Sequence, residues 1–193
     1  MKEIIFASAN RHKVIEVQKI LGPEYHIILP SDLGFDGDIP ETQETIYGNS
    51  VQKAQFIWDM FHKPCFADDT GLEVDALGGA PGVYSARYAG TPKNMERNIA
   101  KLLHELSGVP EAERTAHFHT VVTYIEEGRA TSFDGWCYGR INFAPVCGDS
   151  FGYDPVFVVD GYGRTMAEMT LEEKNSVSHR GEAMAGLVAF LKK

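Results

Sequence analysis

Two adjacent carboxylates, Asp68 and Asp69, close a short apolar run, Cys65-Phe66-Ala67, and lead into Thr70-Gly71. Strands disfavour Asp, so a pair at a strand end calls for a reason. Alternation along a strand sends the two side chains to opposite faces, and one of them can then face a ligand directly. Mg²⁺ takes one or two carboxylates and completes its octahedron with phosphate oxygens and water. Glu41, in Pro40-Glu41-Thr42, is the candidate second ligand. An Asx-type turn leaving a strand is the competing reading.

Four further segments carry suitable chemistry. Ser8-Ala9-Asn10-Arg11-His12-Lys13 stands between an apolar strand-like run and a helical pattern. Backbone N–H groups at a helix start attract anions, and Ser8, Asn10 and Lys13 can add hydrogen bonds and charge. Asn49 and Lys53 stand four apart on one side of a helical pattern, where the spacing alone reads as a solvated face. Phe151-Gly152-Tyr153-Asp154-Pro155 offers aromatic surface and a polar anchor for a base, or else an aromatic core turn. Lys174 precedes Ser178-His179-Arg180-Gly181, and a basic cluster at a helix start is unfavourable unless an anion or acceptor meets it. His117 and His119 share a strand face without an evident third ligand, and they read as structural.

These segments need elements to hold them. Ile4 to Ala7 predicts a strand, and Val14, Val17 and Leu21 a helix ended by Gly22-Pro23. Tyr25 to Leu29 predicts a second strand, residues 30–45 a loop. Tyr47, Val51, Ala54, Trp58 and Phe61 predict the apolar side of an amphipathic helix. Thr91-Pro92 reads as an N-cap and first helical residue, with Met95, Ile99, Leu102 and Leu106 facing the core. His117–Ile125 and Arg129–Tyr138 flank Glu126-Glu127-Gly128 as a long hairpin. Val156–Val159 is a further strand, and Ser178 caps a last helix whose core side is Met184, Leu187, Val188 and Leu191. Strands alternating with helices, with a hairpin between, predict an α/β protein with a mixed sheet.

Composition narrows the partners. The chain has 193 residues, 44% of them hydrophobic and 23% charged, enough for one packed domain. It carries 18 Lys+Arg against 27 Asp+Glu, net -9, which argues against nucleic acid or a membrane surface as partner. Cys65, Cys137 and Cys147 make neither an even set nor a CxxC pair, so reduced thiols in a cytoplasmic protein are expected. No run approaches a membrane span, and no signal peptide is evident.

Taken together, SANRHK at 8–13, ADDTGLEVDALGGAPGVYSARYAG at 67–90, FGYDPVF at 151–157 and EKNSVSHRG at 173–181 resemble the inosine triphosphate pyrophosphatase family in content and order. The resemblance covers most of residues 1–193 and implies one nucleoside triphosphate pyrophosphatase domain. It implies an elongated, strongly curved mixed β-sheet flanked by helices, with two lobes around a central substrate cleft, usually in a homodimer. The implied activity is Mg²⁺-dependent hydrolysis of ITP, dITP and XTP to the monophosphate and pyrophosphate. Ser8, Asn10 and Lys13 fall at triphosphate-holding positions within a substrate-binding stretch that also takes in Ala9, Arg11 and His12, and Lys53 falls at the family's helical lysine position. That replaces the solvated-face reading of Lys53. Glu41 and Asp69 match the Mg²⁺ positions, and Asp69 also the proton acceptor. Thr70 falls at a substrate-contacting position. Phe151, Gly152, Tyr153, Asp154, Lys174, His179 and Arg180 match nucleoside-binding positions.

The physical logic of base choice follows. Arg180 is a donor-only group, so it pairs with the 6-oxo group of inosine or xanthosine and not with the 6-amino group of adenine. Three positions depart from the family pattern: Ala9 and Ser150 stand where glycine is usual, and Gly48 precedes Asn49 where Glu is common. The related pyrophosphatases of modified pyrimidine nucleotides are the nearest rival, disfavoured by FGYD and SHRG. A nucleotide-binding module without turnover is the rival from another class. A dinucleotide-binding oxidoreductase is disfavoured by the missing glycine fingerprint.

Overall fold

The computed structural model describes residues 1–8, 11–148 and 151–192, and the side chains of all of these except Arg11, His12, Glu16, Leu171 and Asn175. The strands are β1 (Lys2–Phe6), β2 (Tyr25–Ile28), β3 (Cys65–Val74), β4 (Pro81–Gly82), β5 (Thr115–Glu126), β6 (Arg129–Ile141) and β7 (Phe157–Val159). They form one seven-stranded sheet in the order β2-β1-β3-β5-β6-β7, with β4 paired to β3. β1 runs parallel to both β2 and β3, whereas β4 and β7 are antiparallel to their neighbours, so the sheet is mixed. The helices are α1 (Arg11–Leu21), α2 (Ile46–Phe61), α3 (Met95–Glu105), α4 (Leu171–Val177) and α5 (His179–Leu191).

The chain divides into two compact units. Unit 1 holds residues 1–69, 120–135 and 180–193, and unit 2 holds 70–119 and 136–179. β3, β5 and β6 each run from one unit into the other.

In unit 1, Ile4, Phe6, Val17, Leu21, Phe66, Met184 and Leu187 form one core cluster. Ile5, Ala7, Ala54, Ile57, Cys65 and Ala67 form another. Phe6 and Phe66 stack with centroids 4.5 Å apart, which ties the end of β1 to the start of β3. Unit 2 has its own core, built from Leu72, Val74, Ile99, Leu102, Leu106, Phe118, Phe157 and Met166. The hairpin between β5 and β6 turns at Glu127 and Gly128, φ 51 and 74, the left-handed pair a tight hairpin needs.

Four expectations change. β3 does not stop at Ala67: it runs through Asp68-Asp69-Thr70-Gly71, so the acidic pair lies inside a strand, not in a turn. Paired charges, described below, make that tolerable. α2 buries Ile46, Asn49, Ser50, Lys53, Ala54 and Ile57, whereas Tyr47 is exposed; its inner side includes the polar stripe expected to be solvated. α3 starts at Met95, where the Asn94 carboxamide oxygen accepts from Arg97 N–H, so Thr91-Pro92 is not its cap. Within residues 30–45, Pro30–Leu33 forms a short 3₁₀ turn.

Candidate active site

Unit 1 gathers six of the charged groups singled out from the sequence. β3 carries Asp68 and Asp69 to opposite sides, where they meet different cations. Asp68, 3% exposed, accepts from Lys13 Nζ at 2.8 Å and from Arg180 Nε at 3.2 Å. Lys13 reaches it from the first turn of α1, and Arg180 from the first turn of α5. On the other side, Lys53 Nζ, presented by α2, donates to Asp69 Oδ1 at 2.9 Å and Glu41 Oε1 at 2.8 Å. One ammonium thus joins the strand carboxylate to the loop carboxylate.

The two aspartates experience opposite pressures. Burial would raise the Asp68 carboxyl, but Lys13, Arg180 and Lys53 overcome it and hold Asp68 well below the usual carboxylate range. Burial raises Asp69, with Glu41 and Asp68 adding to it and Lys53 opposing. For Lys13, burial lowers the ammonium and Asp68 offsets part of that. Burial would also lower Lys53, but Asp69, Asp68 and Glu41 more than reverse it, so its pKa is raised. Asp68 is therefore a fixed anion, whereas Asp69 is a carboxylate whose charge the surroundings disfavour.

A layer of buried hydroxyls supports this side of the strand. Ser50 on α2 donates to the Ala67 carbonyl and contacts Thr123 on β5 at 2.9 Å, and Thr123 meets Ser132 on β6. The sequence offered no periodic signal for it. Ser8 is half-buried, with its N–H on the Phe6 carbonyl. The phosphate-holding expectations for Ala9 and Asn10 lie outside the described residues, as does the Ser150 departure. Arg11 and His12 open α1.

Unit 2 holds the rest. Thr70 is half-buried on β3. Phe151 is 73% exposed, whereas Tyr153 is 4% exposed and donates its hydroxyl to the Ser85 carbonyl at 2.8 Å. The aromatic surface suggested by FGYD is therefore that of Phe151; the Tyr153 ring is core. Gly152 takes φ 61 between them. Asp154 Oδ2 accepts from Lys174 Nζ at 3.1 Å, which joins two residues far apart in sequence. The His179 ring stacks on Phe118 with centroids 5.0 Å apart. His117 and His119 both face Glu73, at 2.8 and 3.9 Å, on the neighbouring strand.

Among the described residues no group of three His, Cys, Asp or Glu side chains is set to hold a metal ion. Glu41 and Asp69 nonetheless converge on one cation, and a carboxylate pair is the donor set Mg²⁺ accepts when phosphate oxygens and water supply the rest. The residues fit that ion.

A mixed α/β sheet thus bears paired carboxylates, each met by a lysine delivered from a helix. A family model described as the Ham1 family matches residues 4–190, and the chain belongs to that family. The dITP/XTP pyrophosphatase of Porphyromonas gingivalis is 47% identical over 193 residues, covering 99% of this chain and 98% of that protein. The dITP/XTP pyrophosphatase of Flavobacterium johnsoniae is 43% identical over 189 residues, 98% and 97% of the two chains. The solved structure of the Staphylococcus aureus Ham1 protein superposes with a TM-score of 0.93 at 40% identity, covering 99% of this chain and 98% of that one.

Proposed function

We propose that this protein hydrolyses noncanonical purine nucleoside triphosphates, ITP, dITP and XTP, to the monophosphate and pyrophosphate with Mg²⁺. Relatives sharing nearly half their residues over almost the full length are named dITP/XTP pyrophosphatases. The single observation that carries the reading is the sharing of Lys53 by Glu41 and Asp69.

In this reading one water is consumed and one phosphoanhydride bond breaks; the water oxygen ends on a product phosphate. Asp69 orients the water and accepts its proton, a task suited to a carboxylate with a raised pKa. Glu41 and Asp69 hold Mg²⁺, which when bound neutralises charge on the phosphate chain. Ser8, Asn10 and Lys13, in the stretch through Ala9, Arg11 and His12, hold phosphate oxygens, and Lys53 offsets the charge that builds there. Thr70 contacts the substrate. Phe151, Gly152, Tyr153, Asp154, Lys174 and His179 are assigned to the nucleoside, Tyr153 through its backbone since its ring is buried.

Arg180 is assigned to the 6-oxo group. Its Nε is already held by Asp68, so the guanidinium plane is set before substrate arrives. A 6-amino group facing that donor leaves it unpaired, which costs about 1–3 kcal/mol, or roughly tenfold to a hundredfold in rate. Residues 1–193 acting as one domain, a homodimer and a cytoplasmic location belong to the same proposal. No helix among the described residues is long and apolar enough to cross a membrane.

The test is pyrophosphate release from a panel of triphosphates, with and without Mg²⁺. ITP, dITP and XTP are expected to exceed ATP by roughly tenfold or more, and to be hydrolysed only when Mg²⁺ is present. Equal rates on ATP would overturn the base assignment, and turnover in chelator would overturn the metal.

A further inference from the structure

Glu41 sits on a loop, and its side chain is 37% exposed, so packing alone does not fix its carboxylate. Something else must. Thr42 N–H donates to Gln52 Oε1 at 2.9 Å, and Gln52 Nε2 donates back to Thr42 Oγ1 at 2.8 Å. Gln43 N–H donates to Asn49 Oδ1 at 2.9 Å. Thr45 Oγ1 accepts from Gly48 N–H at 2.9 Å and caps the helix. Three consecutive loop residues, 41, 42 and 43, are thus bound by three side chains of α2: Lys53, Gln52 and Asn49. Those three stand within one turn of each other on the helix.

We propose that Gly48, Asn49 and Gln52 form a clasp that fixes the backbone of residues 41–45, with Asn49 and Gln52 acting as positioning residues for the Glu41 carboxylate. The proposal rests on the role given to Glu41 above. Asn49 is 1% exposed, and its carboxamide oxygen accepts from the Gln43 loop amide. Gly48 supplies the room. A Cβ there would lie 2.8 Å from Gln43 Cβ and 2.9 Å from Thr45 Oγ1, so any side chain pushes the loop off the helix. Glycine weakens a helix interior; here it permits the close approach that brings Gln43 N–H to Asn49. The Gly48 departure from the family pattern therefore belongs with this chain's own loop placement.

Two readouts test the clasp. Amide hydrogen exchange on the folded, nucleotide-free protein should show Gln43 exchanging roughly three- to tenfold faster in Asn49→Ala, with Ala54 and Ile57 unchanged. Gly48→Ala should do the same. In pyrophosphate release, Asn49→Ala should raise the half-saturating Mg²⁺ concentration by roughly tenfold, as loss of an outer partner of a metal ligand does. In a Glu41→Gln background the same substitution should add less than about twofold, because residues acting through one group are not additive. Unchanged Gln43 exchange, or an equal effect in the Glu41→Gln background, overturns the proposal. If Glu41→Gln itself leaves the Mg²⁺ dependence unaltered, the metal role of Glu41 fails, and exchange at Gln43 alone decides the clasp. Should Asn49→Ala not fold, Gln52→Ala with exchange read at Thr42 decides it by the same criteria.

Discussion

In unit 1, Asp68 is 3% exposed and meets Lys13 and Arg180; in unit 2, Asp154 is 14% exposed and meets Lys174, itself 22% exposed. Both are carboxylates with a lysine partner, but their surroundings differ. Asp68 lies in a strand flanked by the cores of Phe66 and Ala67, so its charge is bearable only while both cations stay. Asp154 follows a loop and keeps access to water, so its pair is screened and is tied less closely to folding. A carboxylate held by two cations is part of the architecture, whereas a part-buried pair with one cation is available for a ligand to compete with.

Asp68→Asn should break this comparison most visibly. Removing one partner from a buried ion set leaves the others uncompensated, and a loss of about 3–5 kcal/mol is expected in urea unfolding. The effect should depend on pH. The folded Asp68 carboxyl titrates below its unfolded value, so its stabilisation is full above the unfolded carboxylate pKa of about 3.9 and fades as pH falls through the lower folded value. The stability gap between the wild-type protein and Asp68→Asn should therefore narrow below about pH 4. A gap that widens toward acid would contradict the ion set as described.

Asp154→Asn should cost about 1 kcal/mol or less by the same measurement, while raising KM for ITP more than it lowers kcat. A loss as large as that of Asp68→Asn would erase the distinction between the two sites. The smallest effect concerns thiols. Cys65 in unit 1 and Cys137 in unit 2 are buried, with burial raising them to about 12 and 11, whereas Cys147 is exposed. Brief alkylation of the native protein followed by peptide mapping should label Cys147, and the other two only after unfolding.

Much of this was legible in the sequence. β1, the hairpin of β5 and β6, and the core side of α5 followed from apolar period and turn residues. Propensity disfavours acids in strands and so ends this strand before Asp68-Asp69, whereas the cations that reverse the preference come from α1, α2 and α5. The inner side of α2 is hidden by its period instead. Hydrophobic periodicity counts Asn49, Ser50 and Lys53 as polar, hence outward, yet each has a partner: the Gln43 amide, Thr123 and the carboxylates. Such partnerships are tertiary and leave no trace in local pattern. The Asp154–Lys174 and Lys13–Asp68 pairs likewise join segments that no local rule connects.

Asp69 is the residue on which the functional account turns. Burial works against its charge, and the ion pair with Lys53 at 2.9 Å opposes that. The direct measurement is paired: urea stability and ITP turnover of Asp69→Asn. Stability should stay within about 1 kcal/mol, since Lys53 keeps Glu41 as a partner, while kcat falls by roughly a hundredfold or more. Near-normal kcat in a folded Asp69→Asn protein would contradict the assignment of Asp69 as the group that handles the attacking water.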